Sequence, residues 1–391
     1  MKILFDYQIF QLQTHGGISR GIMQIIKGLN AAGYECEVAL KESDNIYIKE
    51  EFGTHIPSVY RPLSDFVEQI KCGKKKKDKL YSILRLIQGR ERISTINEKY
   101  SIKKIVEGDY DIFQPTYFSS YFIPYIKKPF VYIIHDMIPE RFPEQYPLDN
   151  KQSVFKRKYS DLASAIITPS QNTKDDVVKL LDIPEKKVHV IHWCYEPIDH
   201  TWLIKQQAIY EFPYILFVGR RSGYKGFGVL LEQIAEIVKI YPNIHLVCTG
   251  TPFNNEEKIK INELQLSNNV LQRFVSDKEL KVLYRDARCF VFPSLYEGFG
   301  IPILEAFSCG CPVFLNHASC FPEIAADAAI YFEQDESVSN FADCFFSYMK
   351  NEENNRSEYV CKGKKRLDCF SEKRMIEDYI NLYKNVYRES Y

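Results

Sequence analysis

No apolar run in the 391 residues approaches the ~18 needed to cross a membrane. Only residues 3–5 form an apolar stretch before Asp6, too short for the core of a secretory leader. Net charge is missing too. Fifty-one basic side chains balance 51 acidic ones, so nothing global points to nucleic acid. The eleven cysteines contain no Cys-x2-Cys pair. Most, such as Cys36, Cys248 and Cys289, fall in apolar strand or helix patterns, which predicts reduced, buried thiols in a cytosolic protein. Cys309 and Cys311 have no second pair nearby to complete a metal site. Two glycine signatures are also absent. Without Gly-x-Gly-x-x-Gly a nicotinamide site is disfavoured, and without Gly-x4-Gly-Lys-Ser/Thr there is no phosphate loop of the nucleoside triphosphatases.

What is present is ordinary globular material: 45% hydrophobic and 26% charged residues, long enough for two or three domains. Apolar strand patterns at 2–6, 35–40, 112–114, 130–134, 165–168 and 188–192 alternate with helical spacing, as in Ile18, Ile22, Ile25, Ile26 and Leu29. The pattern lapses over 195–213, bracketed by Pro197 and Pro213, which reads as a linker. It resumes at 214–218, 244–248, 270–274, 289–292, 313–315 and 329–332. Ser170 is placed to cap one helix, and Ser276 with Glu279 forms a capping box for another. Two βα-alternating halves predict an α/β fold of two Rossmann-like, doubly wound parallel sheets, with ligands in the cleft at the carboxyl ends of the strands. The expected domains are 1–195 and 196–372, followed by a terminal segment, 373–391.

Residues 290–313 carry the most chemistry. An apolar strand ends at Pro293-Ser294, and Gly298 and Gly300 free the backbone for tight conformations. Pro302 suits the first position of a helix that Gly310 stops. The loop therefore feeds a helix N-terminus, where backbone N–H groups and the dipole favour an anion. Glu297 and Glu305 offer acceptors to hydroxyls, with Glu305 expected in the first helical turn and aimed back at the loop. An anion site beside two carboxylates suits a phosphate-bearing sugar.

This segment resembles the signature of retaining, nucleotide-sugar-dependent glycosyltransferases of the two-Rossmann-domain GT-B fold, the family 4 group, and the likeness covers nearly the whole chain. The resemblance implies that Glu297 contacts the donor sugar and Glu305 the ribose diol, while Gly298, Phe299 and Gly300 present backbone to the diphosphate and sugar. It implies that Arg220 and Lys225, after strand 214–218, stabilise the leaving diphosphate without a metal; the adjacent Arg221 leaves that basic assignment open. It implies that Gly16-Gly17 closes over the donor from the first domain, that His135 points into the cleft, and that the last helix crosses back onto the first domain. Arg20, one turn further on, could reach the cleft or the acceptor. The expected mechanism is front-face transfer with retention, in which the leaving phosphate takes the acceptor's proton. Whether Glu297 acts only through its charge or as a nucleophile stays open. The Gly-Gly-Ile-Ser-Arg opening resembles bacterial surface-polysaccharide transferases that move mannose or glucose to a glycan or lipid-linked saccharide.

Other readings remain. The same architecture serves nucleotide-sugar epimerases, and a silent nucleotide-sugar-binding protein would need the same cleft. Asp109-Tyr-Asp111 is an Asp-x-Asp, used for a metal by transferases of another fold, but here it precedes a strand as a turn. Residues 68–104 hold twelve Lys or Arg and four acids, with Lys74–Lys77 unbroken and Leu80, Ile83, Leu84 and Ile87 on one helical face. That segment is either a contact for an anionic membrane, at the inner face of the cell membrane, or a solvated charge run. The aromatic stretch 113–132 is part core and part candidate platform for sugar or lipid.

Overall fold

The computed structural model of the protein describes residues 1–52, 79, 93–146, 151–221, 223–333 and 340–390. Residues 74–77, 80, 83, 84 and 87 of the basic stretch lie outside the described residues.

Among the described residues, six strands build the first half: β1 (Lys2–Phe5), β2 (Glu35–Val38), β3 (Ile112–Gln114), β4 (Val131–Ile133), β5 (Ala165–Thr168) and β6 (Val188–Val190). They run parallel in the orders β2-β1-β3 and β4-β5-β6, and a parallel bridge between Phe113 and Phe130 joins the two triplets. The second half holds β7 (Tyr214–Phe217), β8 (His245–Thr249), β9 (Val270–Arg273), β10 (Cys289–Phe292), β11 (Val313–Asn316) and β12 (Ile330–Phe332), in the order β12-β11-β10-β7-β8-β9. β7, β10 and β11 are buried along their whole length, as expected for strands covered by helices on both faces.

Sheet order positions the chemistry. In the second half the order reverses between β7 and β10, which pair directly. The loops leaving their carboxyl ends, 218–226 and 293–300, therefore lie side by side at the switch point where open α/β sheets bind ligands. In the first half the reversal lies between β1 and β3. The segment after β1 leads into Gly16-Gly17.

One apolar core runs through both halves, from Ile3 and Ile26 to Phe292, Leu304 and Tyr383. The helix Glu372–Ser390 packs on the helix Gly17–Ala31 of the first half. Contact is close: a Cβ on Gly28 would stand 2.4 Å from Ile376 Cγ1, so the glycine lets the two helices meet. The expected linker 195–213 is not featureless, since it contains the helix His200–Lys205, whose first turn is capped by Asp199 (Trp202 N to Oδ1, 3.0 Å). Of the aromatic stretch, Phe118 and Phe122 are core, packed on Phe113, Phe130, Tyr132 and Tyr159. Only Tyr125 is exposed, at 40%. Asp109 and Asp111 fold back on β1, where Lys2 Nζ donates to Asp109 (2.8 Å) and Lys2 N to Asp111 (2.7 Å).

Candidate active site in the interdomain cleft

The loop after β10 turns sharply at Gly300, whose φ of +89° an L side chain would resist. Gly298 has a different reason to be glycine. A Cβ there would lie 1.9 Å from the carbonyl oxygen of His135, so backbone from the opposite half presses directly on it. Phe299 turns inward, 4% exposed, against Phe370 at 5.8 Å, and Gly298 and Gly300 on either side of it are buried as well. The following helix spans Ile301–Ser308 with Pro302 as its second residue. Glu305 is its fifth residue. It therefore begins the second turn rather than lying in the first as the sequence suggests, because the helix already starts at Ile301, directly after the left-handed Gly300 and one residue before Pro302.

Each carboxylate has found a cation. Lys225 Nζ donates to Glu297 Oε1, with both side chains nearly buried. Arg20, from the first half, reaches across and donates to Glu305 Oε1 at 2.5 Å, while the Tyr284 hydroxyl donates to Oε2 at 3.4 Å. Burial opposes the charge on Arg20, but the Glu305 carboxylate outweighs it and raises the guanidinium pKa. The Glu297 backbone is clasped by Ser319, whose hydroxyl accepts from Glu297 N (3.1 Å) and donates to Glu297 O (2.8 Å).

The two arginines after β7 separate cleanly. Arg221 is 8% exposed and spends its fork on Glu257 and on the carbonyls of Thr249, Thr251 and Pro252. Arg220 is exposed and forms no ion pair among the described residues. Its charge faces Tyr117 and Tyr224, whose phenol pKa values burial raises and Arg220 lowers.

Gly16 and Gly17 begin the first-half helix, and a Cβ on Gly17 would stand 3.4 Å from Ile301 Cδ1. The N-termini of two helices, Gly17–Ala31 and Ile301–Ser308, thus abut across the cleft, and their dipoles favour negative charge between them. His135 follows β4. It is 7% exposed, lies 6.0 Å from Trp193 in a stacked arrangement, and has neither ring nitrogen satisfied. Burial pulls its pKa down to about 4, against the charge of Asp136, so the ring is neutral near pH 7. A neutral imidazole with one donor and one acceptor both unpaired is suited to a hydroxyl, which is itself both. The structure thus brings Gly16, Gly17, His135, Lys225, Glu297, Gly298, Gly300 and Glu305 to one cleft, with Arg220 at its edge.

Several participants escape a reading of the sequence. Tyr296 donates to Asp176 Oδ2 at 2.7 Å across the cleft. Glu323 accepts from Gln171 N (2.8 Å) and from His192 Nε2 (2.7 Å). Beside Glu305 the closed cleft leaves a cavity of about 30 Å³, lined by Arg20, Glu196, Lys281 and Tyr284, which is room for roughly one water.

Two parallel-sheet domains with the donor-type loops facing each other define the GT-B class. Solved structures agree in fold. The Anabaena HepE structure with UDP and glucose superposes with a TM-score of 0.70 at 17% identity, over 98% of this chain and 100% of that one. Sequence models give the family: Glycosyltransferase Family 4 matches residues 15–197 and Glycosyl transferases group 1 matches 201–366. The chain belongs to this glycosyltransferase family. Among curated relatives, O-antigen chain mannosyltransferase B of Escherichia coli is 26% identical over 227 residues, covering 54% of this chain and 59% of the relative. O-antigen chain mannosyltransferase RfbU of Salmonella typhimurium is 27% identical over 211 residues, covering 53% and 57%. The chain thus spans little more than half the length of these relatives.

Proposed function

We propose that the protein is a retaining, metal-independent glycosyltransferase that moves a hexose from a nucleoside-diphosphate sugar to a glycan or lipid-linked saccharide. The names of the relatives favour mannose over glucose and favour a role in surface-polysaccharide synthesis. The observation that carries the reading is the pairing of Lys225 with Glu297 and of Arg20 with Glu305, beside the abutting helix N-termini at Gly17 and Ile301. Cations and dipoles for a diphosphate stand next to carboxylates for sugar hydroxyls.

In the reaction, the bond between the anomeric carbon and the phosphate oxygen breaks as the acceptor oxygen approaches the same face. The acceptor's proton passes to the leaving phosphate. Arg220, Lys225 and the helix N-termini meet charge that grows on the diphosphate, so they bind the transition state more tightly than the donor. Glu305 exchanges Arg20 for the ribose diol. Glu297 orients the sugar and offsets positive charge on its ring, and neutral His135 takes a sugar hydroxyl. The site is built from both halves, so the halves part to load the donor and close again for transfer.

No helix among the described residues is long and apolar enough to cross a membrane. We place the protein in the cytoplasm, with the basic run Lys74–Lys77 at the inner face of the membrane near a lipid-linked acceptor. Binding to anionic vesicles should weaken when these four lysines become Gln, and unaltered binding would remove the membrane from the proposal.

The test of function is incubation with a panel of UDP- and GDP-linked hexoses, reading nucleoside diphosphate release and the anomeric configuration of the product. Release with retained configuration is expected. A changed sugar with no release would make the protein an epimerase, and binding without turnover would make it a carrier.

A further inference from the structure

Glu297 faces Lys225 of its own half, yet the residues on either side of it are gripped by the other half. On one side the buried Tyr296 hydroxyl donates to Asp176 Oδ2 at 2.7 Å. On the other, the Gly298 carbonyl accepts from Ser170 Oγ (2.7 Å) and Thr173 Oγ1 (3.2 Å). The His135 carbonyl lies against the Gly298 Cα.

The gripping residues share one origin. Ser170 caps the helix Gln171–Leu181, and spacing by three places Ser170, Thr173 and Asp176 in a row along one helical face. Asp176 is 2% exposed, whereas its neighbour Asp175 is exposed. A buried carboxylate needs partners, and this one takes Arg141 from its own half and Tyr296 from the other. Within its own half the Glu297 backbone is held only at one point, the Ser319–Cys320 turn, among the described residues. Parting of the halves breaks both flanking grips at once and leaves that turn alone.

We propose that Asp176 is a positioning residue for the transfer reaction: by holding Tyr296 when the halves close, it sets the loop that carries Glu297, so that Glu297 is correctly placed only in the closed state. Asp176 touches no substrate. It makes the second-half signature depend on contact with the first half, which restrains breakdown of the donor in the open cleft. This deepens the transferase reading and rests on it.

The test uses the full-length chain with Tyr296→Phe, Asp176→Asn and the double variant. Tyr296→Phe keeps the ring in its core site and removes the hydroxyl that binds Asp176. Steady-state donor turnover should fall about 10- to 100-fold in kcat, the range expected when a reacting group is displaced by up to an ångström. Donor KM should stay within about 3-fold, because Glu305 and the diphosphate contacts are untouched. The double variant should be no slower than the slower single variant, since both break one link. Amide hydrogen exchange across 295–300, measured with nucleoside diphosphate bound, should quicken equally in all three, with the melting temperature close to that of the parent.

Unchanged kcat in Tyr296→Phe, or single losses that multiply in the double variant, would overturn the proposal. So would a loss accompanied by a collapsed melting temperature, which marks a merely structural contact. If the parent chain turns over no nucleotide sugar, the transferase reading fails instead. The exchange measurement then still decides whether Asp176 and Tyr296 hold the loop as one unit: equal, non-additive quickening supports the link, and unchanged exchange refutes it.

Discussion

Arg220 and Arg221 are neighbours in the chain with opposite fates. The Arg221 guanidinium is sunk among Glu257 and three carbonyls and lies over the Phe253 ring at 4.9 Å, whereas Arg220 stands exposed at the cleft edge. A planar fork satisfied on all sides is fixed in place, and the one left unsatisfied is available to a ligand. The structure thus gives Arg221 a structural place and leaves Arg220 as the guanidinium the proposed phosphate role requires.

Arg220→Lys should lower kcat on the order of 10²-fold, by analogy with removal of a preorganised donor, because a point charge does not replace a bidentate fork. Turnover close to that of the parent would take Arg220 out of the phosphate site.

Arg221→Ala should instead cost stability. It leaves the partly buried Glu257 without its cation and the Thr249, Thr251 and Pro252 carbonyls without their donor, a loss of about 3 kcal/mol. Calorimetry should show a melting temperature lower by roughly 6 °C or more. The fraction still folded should keep the parent's donor KM, and a raised KM at unchanged stability would reverse the two roles.

Glu305→Ala should raise donor KM with little change in kcat, since ribose hydroxyls are held alike in ground and transition states. The same change frees Arg20, so the salt dependence of donor binding should alter with it. An unmoved KM refutes a ribose role for Glu305.

His135 gives a pH signature. Its folded pKa, about 4, lies below the ordinary value of 6.5 because the ring is buried. Between those values the unfolded chain binds a proton that the native site refuses. Stability is therefore full above pH 6.5 and falls as pH drops towards 4, by up to about 3 kcal/mol. Denaturation from pH 7 to pH 4 should show that slope in the parent and lose it in His135→Gln. An equal slope in both would mean the imidazole is not neutral in the fold.

How much of this is written in the sequence depends on range. The Ser276–Glu279 capping box and the Ser170 cap are legible because they are settled within one helical turn. Strand alternation in each half is legible because burial on both faces forces apolar runs. Partnership across the cleft is not. Asp175 and Asp176 are identical as letters, and only the helical phase that aligns Asp176 with Thr173 separates them. Gly298 reads as a flexible loop residue, but its constraint comes from a carbonyl of the opposite half. Arg20 and Glu305 are 285 positions apart, and no local rule joins them.

The chain passes between its halves twice, once near Tyr195 and once near Phe370 where it returns to lay its last helix on the first half. These two passages are hydrogen-bonded to each other, Tyr195 N to Phe370 O at 3.2 Å. Two strands tied side by side act like the spine of a book. In the opening proposed above, such a tie favours a hinge over a slide and brings the halves back to the same register. A site whose Arg20 comes from one cover and whose Glu305 comes from the other can then be reassembled at each turnover without searching for its alignment.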